Sequence, residues 1–367
     1  MIQIGDPLRP FDVPSTVTER LRAEDCVGSS LLLVYYLQDG NDEDARLLAG
    51  FRDLHEQFLA EGINVVAVGI ESPDSHRAFA EQLGLKLPLV SDERLQLIAG
   101  MNVGRQRPSD DGSTATLELS RTTVFFDPGL RAIRVWDNVQ EVDSHAAEVL
   151  SAAKAWLHRD PARDVVVHAP VLLIPHVLPP ELCRELIGLW ETQNEDSGFM
   201  KQIDGKTVGV TDYNHKIRRD HYMQPGPLHD AVRDRLSTRV IPEIKKAFNY
   251  NVTRREDFRI ACYDAERGGF FRAHRDNTTD GTAHRVFAMS LLLNDEYEGG
   301  YLRFPEFGPH RYRPPAGGCC VFSCSLLHEA TDVTAGRRFV LLSFFYGEAE
   351  ARRREEYARR VGQAYRA

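Results

Sequence analysis

Two histidines and an aspartate stand out because their chemistry and order suit a metal ion. One residue separates His274 from Asp276, His328 follows further along the chain, and Arg338 comes ten positions after it. Two imidazoles and one carboxylate form the facial triad that binds non-haem Fe(II) and leaves coordination positions open. A co-substrate and dioxygen could use those positions. A guanidinium holds a carboxylate through two parallel hydrogen bonds, so Arg338 predicts a dicarboxylate co-substrate.

The elements that carry these residues are predicted to be strands. Residues i and i+2 of a strand share a face, and "GGFFRAHRD" predicts a strand that ends at Asp276. His328 follows the apolar segment "GGCCVFSCSLL", and Arg338 opens a third strand, "RRFVLLSFFY". In a two-sheet antiparallel barrel the ends of such strands can converge although they are far apart in sequence.

A histidine and an aspartate one residue apart are weak evidence when taken alone. The same tripeptide, His-Arg-Asp, occurs at residues 158–160, at a predicted helix end before a proline. The protein-kinase catalytic loop also begins His-Arg-Asp, but its asparagine and Gly-rich nucleotide loop are missing from this sequence. The ordered set of strands, ligands and arginine favours a metal site over ordinary hydrogen-bonded histidines. The spare histidines are interpreted as surface or lid residues: His215, His221, His284 and His310.

Residues 165–350 resemble the Fe(II)- and 2-oxoglutarate-dependent dioxygenases, most closely the prolyl-hydroxylase-like branch. The resemblance rests on "RIACYDAERGGFFRAHRDN" and "DGTAHRVFAMSLLLND". It implies a mainly β, double-stranded β-helix (jelly-roll) domain. It also implies that the catalytic iron ligands are His274, Asp276 and His328, and that Arg338 binds the distal carboxylate of 2-oxoglutarate.

The same resemblance extends to the walls of the site. Tyr263 of "ACY" matches a tyrosine that lines the 2-oxoglutarate pocket, and Arg285 matches a basic residue facing a peptide substrate. Two departures are visible. Leu292 replaces a second tyrosine that helps to hold 2-oxoglutarate, and "FFYG" lacks the tryptophan common in the last strand. These departures concern the substrate more than the cofactors.

Length and charge narrow the class of protein. A chain of 367 residues predicts two domains rather than one core. The formal net charge of -9 argues against a general nucleic-acid binder, which needs a basic face. No apolar run reaches the ~20 residues of a membrane span. The start, "MIQIGDPLRPF", lacks the basic cluster and apolar core of a signal peptide, so a cytoplasmic protein without a membrane partner is expected.

The cysteines predict buried free thiols rather than a disulfide framework. None of the six forms a Cys-x-x-Cys pair, and most lie in apolar segments, as expected in a reducing cytoplasm. An alternative interpretation makes Cys319, Cys320 and Cys324 soft metal ligands. It is disfavoured because thiolate sites usually show clearer paired spacing.

The first half of the chain alternates predicted strands and helices. "SSLLLVYYL" and "INVVAVGIE" are strands that flank a helix, "EDARLLAGFRDLHEQFLAEG", ending at Gly62. A second helix, "SPDSHRAFAEQLGL", begins with Ser72 as its cap and Pro73 in its first turn. "RTTVFFDPGLRAIRVW" predicts a hairpin that turns at residues 127–129. Together these elements predict an α/β layer fold.

Residues 1–157 resemble the thioredoxin-like peroxiredoxins through "IGDPLRPFDVPS", "LPLVSDERLQLIAGMNV" and "RTTVFFDPG". Peroxiredoxins place a cysteine at the start of the helix after the first core strand, where the helix dipole and an arginine stabilise the thiolate. Asp44 occupies that place, Arg121 matches the arginine, and Cys26 lies before the strand. The prediction is a peroxidase-inactive domain used for docking, dimerisation or substrate presentation, with a homodimer through this domain as one outcome.

A short polar linker, "LHRDPARDV", is predicted to separate the halves at residues 157–165. Beyond it, "PPELCRELIGLW" and "GPLHDAVRDRLSTRVIPEIKKAFN" predict helices that cover the barrel. The polar stretch "EDSGFMKQIDGKTVGVTDYNHKIRRDHYM" is either a mobile lid or a solvated hairpin. Residues 351–367 predict a charged C-terminal helix.

These features predict a dioxygenase that hydroxylates an unactivated C–H bond, with Fe(II), 2-oxoglutarate and dioxygen as cofactors and ascorbate left open. The resemblance implies a prolyl or other amino-acid side chain as substrate, free or in a peptide. Three alternatives remain: a thiol-dependent peroxidase, a non-catalytic binding or scaffold protein built from two retired domains, and a natural-product oxygenase.

Three arginines are predicted to surround the substrate opening: Arg285, and Arg218 and Arg219 in the lid segment. Such a cluster would favour a substrate with a carboxylate or an acidic flank. The alternative for Arg285 is a structural ion pair with an acidic neighbour such as Glu296.

Overall fold

The computed structural model describes residues 2–103, 105–108, 115–160, 162 and 164–362, without the side chains of 105–108 and 115–118. The chain folds into two compact units, Met1–Arg163 and Asp164–Ala367. The division falls within the predicted linker. In the part of the chain that is described, no helix is both long and apolar enough to cross a membrane.

The first unit contains strands and helices in alternation. Its strands are β1 Asp12–Pro14, β2 Arg20–Arg22, β3 Ser30–Tyr35, β4 Ile63–Gly69, β5 Leu89–Ser91, β6 Arg105–Pro108, β7 Ala115–Glu118, β8 Thr122–Phe126 and β9 Ala132–Trp136. Its helices are α1 Asp42–Asp53, α2 His55–Ala60, α3 Pro73–Leu83, α4 Gln96–Met101 and α5 Val142–Leu157, with a 3-10 turn at Ala23–Cys26.

A central mixed sheet organises this unit. Its strand order is β5-β4-β3-β8-β9, with β3, β4 and β5 parallel and β8 antiparallel to both β3 and β9. Every residue of β3 is buried, and alternate side chains enter two apolar cores, Leu31 and Leu33 on one face and Leu32 and Val34 on the other. A strand covered on both faces reads as a continuous apolar run, which explains "SSLLLVYYL".

Local signals set both ends of α3. Ser72 caps α3 by accepting a hydrogen bond from the Ser75 N–H, as predicted, and Gly84 ends the helix in the left-handed conformation with φ 63°. The single helix predicted before Gly62 is wrong in one respect. It is divided into α1 and α2, because the backbone leaves helical geometry at Leu54, with φ -101° and ψ 5°.

The second unit is mainly β. Its strands are β10 Val171–Ile174, β11 Glu195–Asp196, β12 Phe199–Ile203, β13 Lys206–Val210, β14 Lys216–Ile217, β15 Arg219–Tyr222, β16 Arg254–Arg255, β17 Arg259–Asp264, β18 Phe270–His274, β19 Phe287–Leu292, β20 Tyr297–Gly299, β21 Leu302–Arg303, β22 Arg311–Tyr312, β23 Cys319–Ser323, β24 His328–Ala330 and β25 Val333–Tyr346. Its helices are α6 Pro180–Thr192, α7 Pro227–Arg239, α8 Ile241–Phe248 and α9 Glu348–Val361, with 3-10 turns at Ala265–Arg267 and Pro305–Phe307.

Two antiparallel sheets form the barrel of this unit. The larger sheet has the order β10-β23-β19-β25-β17-β15-β11, and β16 and β20 also pair with β25. The smaller sheet has the order β14-β18-β24-β21-β22. Helices α6, α7 and α8 contribute apolar residues, among them Leu186, Leu236 and Ile244, to a core shared with the larger sheet. The site is therefore supported on one side by a packed, helix-covered sheet.

Three boundaries differ from the sequence prediction. Strand β18 ends at His274, so Asp276 lies in the following turn; a register shift between Phe271 and His274 interrupts the pairing there. The helix predicted from "GPLHD" to "KKAFN" is two helices, because Pro242 in the first turn of α8 has no N–H and cannot continue α7. The C-terminal helix begins at Glu348 rather than at 351, and residues 363–367 of that prediction lie outside the described residues.

All six cysteines are buried and none of them forms a disulfide, which confirms the prediction that they are not a disulfide framework: Cys26, Cys183, Cys262, Cys319, Cys320 and Cys324.

Candidate active site

The folded chain brings the three sequence-predicted metal ligands together. Neighbouring strands β18 and β24 pair His274 with His328, and the turn after β18 supplies Asp276. One ligand atom from each residue lies within 4.8 Å of the others. The Asp276 carboxylate is 3.6 Å from His274 Nε2 and 3.4 Å from His328 Nε2. The Asp276 N–H donates to the Cys324 carbonyl at 3.0 Å, which fixes the turn.

The hydrogen bonds of both imidazoles use Nδ1 and leave Nε2 available to bind a metal. His274 Nδ1 lies 2.8 Å from the Arg272 carbonyl, and His328 Nδ1 lies 3.1 Å from the Leu326 carbonyl. A carbonyl oxygen only accepts, so each Nδ1 must carry the proton and each Nε2 keeps its lone pair. Metal-binding histidines are typically held in this way by a backbone acceptor. The donor set therefore fits a divalent metal such as Fe(II).

The charges of the triad also suit a cation. Burial alone would raise the pKa of Asp276, but His328 and His274 beside it lower that pKa below its usual range. Burial lowers the pKa of His328 to about 4. At neutral pH the site therefore offers a carboxylate and a neutral imidazole, the forms that bind a metal.

Arg338 is a buried guanidinium that has no acidic partner among the residues that the structure describes. Its side chain is on β25, where the backbone pairs Arg338 with Tyr263 of β17, and its guanidinium lies 5.2 Å from the Tyr263 ring. The residue is 4 % exposed, its Nε has no hydrogen-bond partner, and Nη2 makes one long bond of 3.5 Å to Ser290 Oγ. Within the described residues no carboxylate lies within 4.0 Å of it. Burying an uncompensated charge is costly, so this arrangement suits an anionic ligand.

One cavity of about 490 Å³ contains the triad, Arg338 and Tyr263. The hairpin of β12 and β13 contributes Phe199 and Met200 to its wall. Within the polar segment, residues 199–210 thus form a hairpin that lines the cavity, and the rest contributes β11, β14 and β15 to the two sheets. Leu292, the departure noted above, packs with Tyr263 in an apolar cluster and adds no hydroxyl group.

The predicted substrate arginines are arranged differently from the expectation. Arg285 lines the cavity, but its Nε and Nη2 bind Glu256 at 2.5 and 2.8 Å, and its guanidinium lies over the Phe344 ring. The alternative of a structural ion pair is therefore present, but its acidic partner is Glu256 rather than Glu296. The correct acid lies on the segment before β17, which sequence distance alone does not reveal.

The two lid arginines lie on different sides of the chain. Arg218 lines the cavity and binds Asp220 through Nε and Nη2 at 2.7 and 2.6 Å, while its Nη1 donates to the Tyr263 hydroxyl at 3.2 Å. Arg219 is not among the residues that line this cavity, and its guanidinium binds Asn194 and Asp196. Successive residues of an extended chain point to opposite faces, so both could not face the opening.

The sequence did not single out Lys216 and Arg259, although both line the cavity, and it classed the cavity-lining His215 only as a spare histidine. A usable signal was present in "KIRRD", because Lys216, Arg218 and Asp220 are spaced by two and so share a face. The other spare histidines lie away from the metal ligands: His221 and His310 are at the surface, and His284 binds Glu256.

The first unit has its own buried arginine–carboxylate pair. Asp44 stands in the first turn of α1 and is fully buried; its Oδ1 accepts from Arg121 Nε at 2.6 Å and its Oδ2 from the Gln38 N–H at 3.1 Å. Arg121 also pairs with Glu43 at 2.8 Å. Cys26 is buried elsewhere, and burial raises the pKa of its thiol to about 11.

Two families match separate parts of the chain. The AhpC/TSA family matches residues 4–133, and the 2OG-Fe(II) oxygenase superfamily matches residues 258–346. These matches agree with the thioredoxin-like and jelly-roll architectures described above, which confirms both predicted fold classes.

Individual relatives show the same division. A putative peroxiredoxin bcp of Coxiella burnetii is 27% identical over 151 residues, which cover 41% of this chain and 97% of the relative. A PKHD-type hydroxylase of Pseudomonas fluorescens is 35% identical over 102 residues, which cover 25% of this chain and 43% of that hydroxylase. Among solved structures, peroxidoxin BcpB from Mycobacterium tuberculosis matches with a TM-score of 0.38 and 21% identity, over 42% of this chain and 98% of that one. The chain therefore joins an N-terminal AhpC/TSA peroxiredoxin-like domain to a C-terminal 2OG-Fe(II) oxygenase domain, and it is a 2-oxoglutarate-dependent oxygenase.

Proposed function

We propose that the second domain hydroxylates an unactivated C–H bond of a prolyl or other amino-acid side chain, in a free amino acid or in a peptide. The observation that carries the proposal is Arg338, whose buried guanidinium shares one cavity with the triad and has no carboxylate partner among the described residues. An intact ligand set beside an uncompensated cation favours an enzyme over a scaffold built from two retired domains. The amino-acid substrate rests on the resemblance of residues 165–350.

Residues of this chain would hold Fe(II) through His274 Nε2, His328 Nε2 and the Asp276 carboxylate. When bound, the iron supplies the activation of dioxygen that couples oxidation of 2-oxoglutarate to succinate and carbon dioxide with hydroxylation of the substrate. Arg338 would bind the distal carboxylate of 2-oxoglutarate through two parallel hydrogen bonds. Tyr263 and Ser290 flank that guanidinium and keep it oriented.

The walls of the cavity would protect the reaction from water. Phe271 stacks on His274 with ring centroids 3.5 Å apart, and Phe322 lies against His328 at 4.6 Å. Apolar rings beside the ligands limit water access and lower the local dielectric, which strengthens the interactions of Arg338 and Asp276 with bound anions and cations. Phe199 and Met200 of the β12–β13 hairpin would close the cavity above a bound substrate.

The test is a mass measurement on candidate substrates. The full chain is incubated with Fe(II), 2-oxoglutarate and a panel of free amino acids and proline-containing peptides, with and without ascorbate. A gain of one oxygen atom in a substrate, with matching succinate, is expected. Absence of both product and 2-oxoglutarate consumption over the whole panel would contradict the proposal. Ascorbate has a role if it raises the yield.

The remaining predictions concern the first domain and the location of the protein. We propose that this domain is peroxidase-inactive, because the resemblance expects the reactive cysteine at the position of Asp44, whose carboxylate is paired with Arg121. Docking, dimerisation and substrate presentation are its remaining roles, and light scattering of the full chain tests the homodimer. Six buried cysteines, none of them in a disulfide, favour a reducing cytoplasm.

A further inference from the structure

We propose that Lys216 and Arg259 form a subsite that binds a carboxylate of the substrate, so that the oxygenase selects acidic over neutral substrates. This inference rests on the proposed function and specifies its substrate class. The inference follows from the positively charged side chains that line the cavity. Among the described residues, carboxylates of the chain neutralise some of these cations but not all of them.

Lys216 is a buried cation whose hydrogen-bond acceptors, within the described residues, are all neutral. Its side chain is 3% exposed, and its Nζ donates to Ser197 Oγ at 2.7 Å and to the Gly198 carbonyl at 2.6 Å. In the described part of the chain no carboxylate lies within 4.0 Å of this ammonium group. An ammonium has three donors, so one N–H remains for a ligand. Burial and then the neighbouring Arg218 lower the pKa of Lys216 well below its ordinary value, a penalty that a bound anion would offset.

The carboxylate of Asp220, four residues after Lys216, already accepts hydrogen bonds from other side chains. Asp220 receives two hydrogen bonds from Arg218 and a third from the Ser197 hydroxyl, at 2.6 Å. The group made of Lys216, Arg218 and Asp220 therefore keeps one uncompensated positive charge inside the protein. Buried charges are normally paired, so this excess indicates a ligand.

Arg259, on the larger sheet, is a second cation that the nearby carboxylate does not fully neutralise. Its closest acidic contact is Glu256, at 3.8 Å, and that carboxylate already accepts two hydrogen bonds from Arg285 and lies 3.0 Å from His284 Nε2. One carboxylate shared by two guanidiniums leaves a second excess positive charge. The Arg259 side chain is 13% exposed and lies beside the rings of Tyr222 and Phe344.

Both cations face the reaction centre. Lys216 pairs across the sheet with Phe271, whose ring stacks on His274, and its Nζ lies 4.8 Å from the centre of that ring. Arg259 shares a face of β17 with Tyr263, four residues further along the strand. The cavity that holds the triad and Arg338 is lined by both cations.

The cofactors cannot account for this excess. Fe(II), the Asp276 carboxylate, dianionic 2-oxoglutarate and Arg338 together have no net charge. The acids at the rim do not remove it either, because Asp196 binds Arg219 and Arg267, and Glu195 is exposed to solvent. The substrate is therefore the remaining source of a compensating anion, and a carboxylate suits a lysine beside an arginine.

The experiment measures binding rather than turnover. The full chain is loaded with Mn(II) and saturating 2-oxoglutarate without dioxygen, and calorimetry gives the Kd of matched acid and amide probes. One pair is L-proline and L-prolinamide. The other is acetyl-Asp-Pro-amide and acetyl-Asn-Pro-amide. The first pair reports an α-carboxylate and the second an acidic side chain. In at least one pair the acid is expected to bind about tenfold tighter or more, as for a charge-assisted hydrogen bond.

Three variants complete the test. Lys216→Met and Arg259→Met should each reduce the acid-over-amide ratio at least about threefold. Lys201→Met, at an exposed lysine of β12 outside the cavity lining, should leave the ratio unchanged. Mn(II) and 2-oxoglutarate binding by each variant shows that it is folded, and either cavity variant suffices if the other does not fold.

The outcomes separate the two proposals. If the wild-type protein binds neither Mn(II) nor 2-oxoglutarate, the proposed function fails. If both bind but neither acid is preferred over its amide, only the subsite is overturned. A preference that survives in both cavity variants also overturns it.

Discussion

Arg121 in the first domain and Arg338 in the second are both guanidiniums with little solvent exposure, and they differ in what faces them. Arg121 meets two carboxylates of its own chain, Asp44 and Glu43, at 2.6 and 2.8 Å. Arg338 meets no carboxylate among the described residues, and its Nε is unpartnered. The chain supplies the anion in the first domain, and we propose that a ligand supplies it in the second.

The same residue type is therefore half of an ion pair in the first domain and a guanidinium available to an anion in the second. A helix start beside an arginine stabilises a thiolate in peroxiredoxins, and a carboxylate accepts the same stabilisation without offering a nucleophile. An uncompensated arginine, by contrast, stores an unfavourable charge that a dicarboxylate relieves on binding. Four predictions test or refine the comparison, from the largest expected effect to the smallest.

Removing a metal ligand should have the largest effect. In His328→Ala only two of the three ligands remain, so Mn(II) affinity and succinate production should both fall to background. Metal titration and succinate measurement check this, with His310→Ala, at an exposed histidine, as the matched control. Wild-type succinate production in His328→Ala would show that the ligand assignment is wrong.

Breaking the Asp44–Arg121 ion pair of the first domain should lower the stability of the protein rather than its activity. Asp44→Asn leaves the Arg121 charge without its buried partner, which is expected to lower the free energy of unfolding by on the order of 3 kcal/mol. Denaturant unfolding followed in the first domain checks the value. Asp143→Asn removes an exposed partner of Arg46 and should change stability by less than about 0.5 kcal/mol. Equal effects of the two substitutions would contradict the importance of the buried pair.

Altering Arg338 should weaken binding of the co-substrate, 2-oxoglutarate. Arg338→Lys keeps the charge but loses the two-pronged geometry, so 2-oxoglutarate affinity should fall by about 1–3 kcal/mol. Calorimetry with Mn(II) measures it. Arg337→Lys is the adjacent control, because Arg337 is half-exposed and binds Glu191. Unchanged affinity in Arg338→Lys would remove the basis for assigning Arg338 to the co-substrate.

The smallest effect is expected from the first domain's own thiol. Cys26 is buried and burial raises its pKa to about 11, so it holds little thiolate at neutral pH. Cys26→Ser should leave peroxide consumption by the full chain unchanged and close to background. Rapid, peroxide-dependent formation of a sulfenic acid at Cys26, detected by mass spectrometry, would reopen the thiol-peroxidase alternative.

Much of both sites could be predicted from local sequence because a short pattern fixes each key residue. His274 and Asp276 are two residues apart, so the end of one strand and its turn place both. Asp44 follows from its distance to the "GFRD" segment of the same helix, and Ser72 from its position before Pro73. Ser72 and the His274–Asp276 pair each lie within one element or its adjoining turn, whereas the Arg121 partner of Asp44 and the third ligand, His328, come from elements far along the chain.

What only the tertiary structure decided is which charges find a partner. Arg285 binds Glu256, which lies 29 residues earlier, and this pairing depends on where β17 and β19 sit on either side of β25. Lys216 and Arg259 come from different sheets and meet at one cavity only after the barrel closes. A sequence specifies which groups carry charge, but compensation depends on distances of a few ångströms between strands, and those distances are set by register and closure.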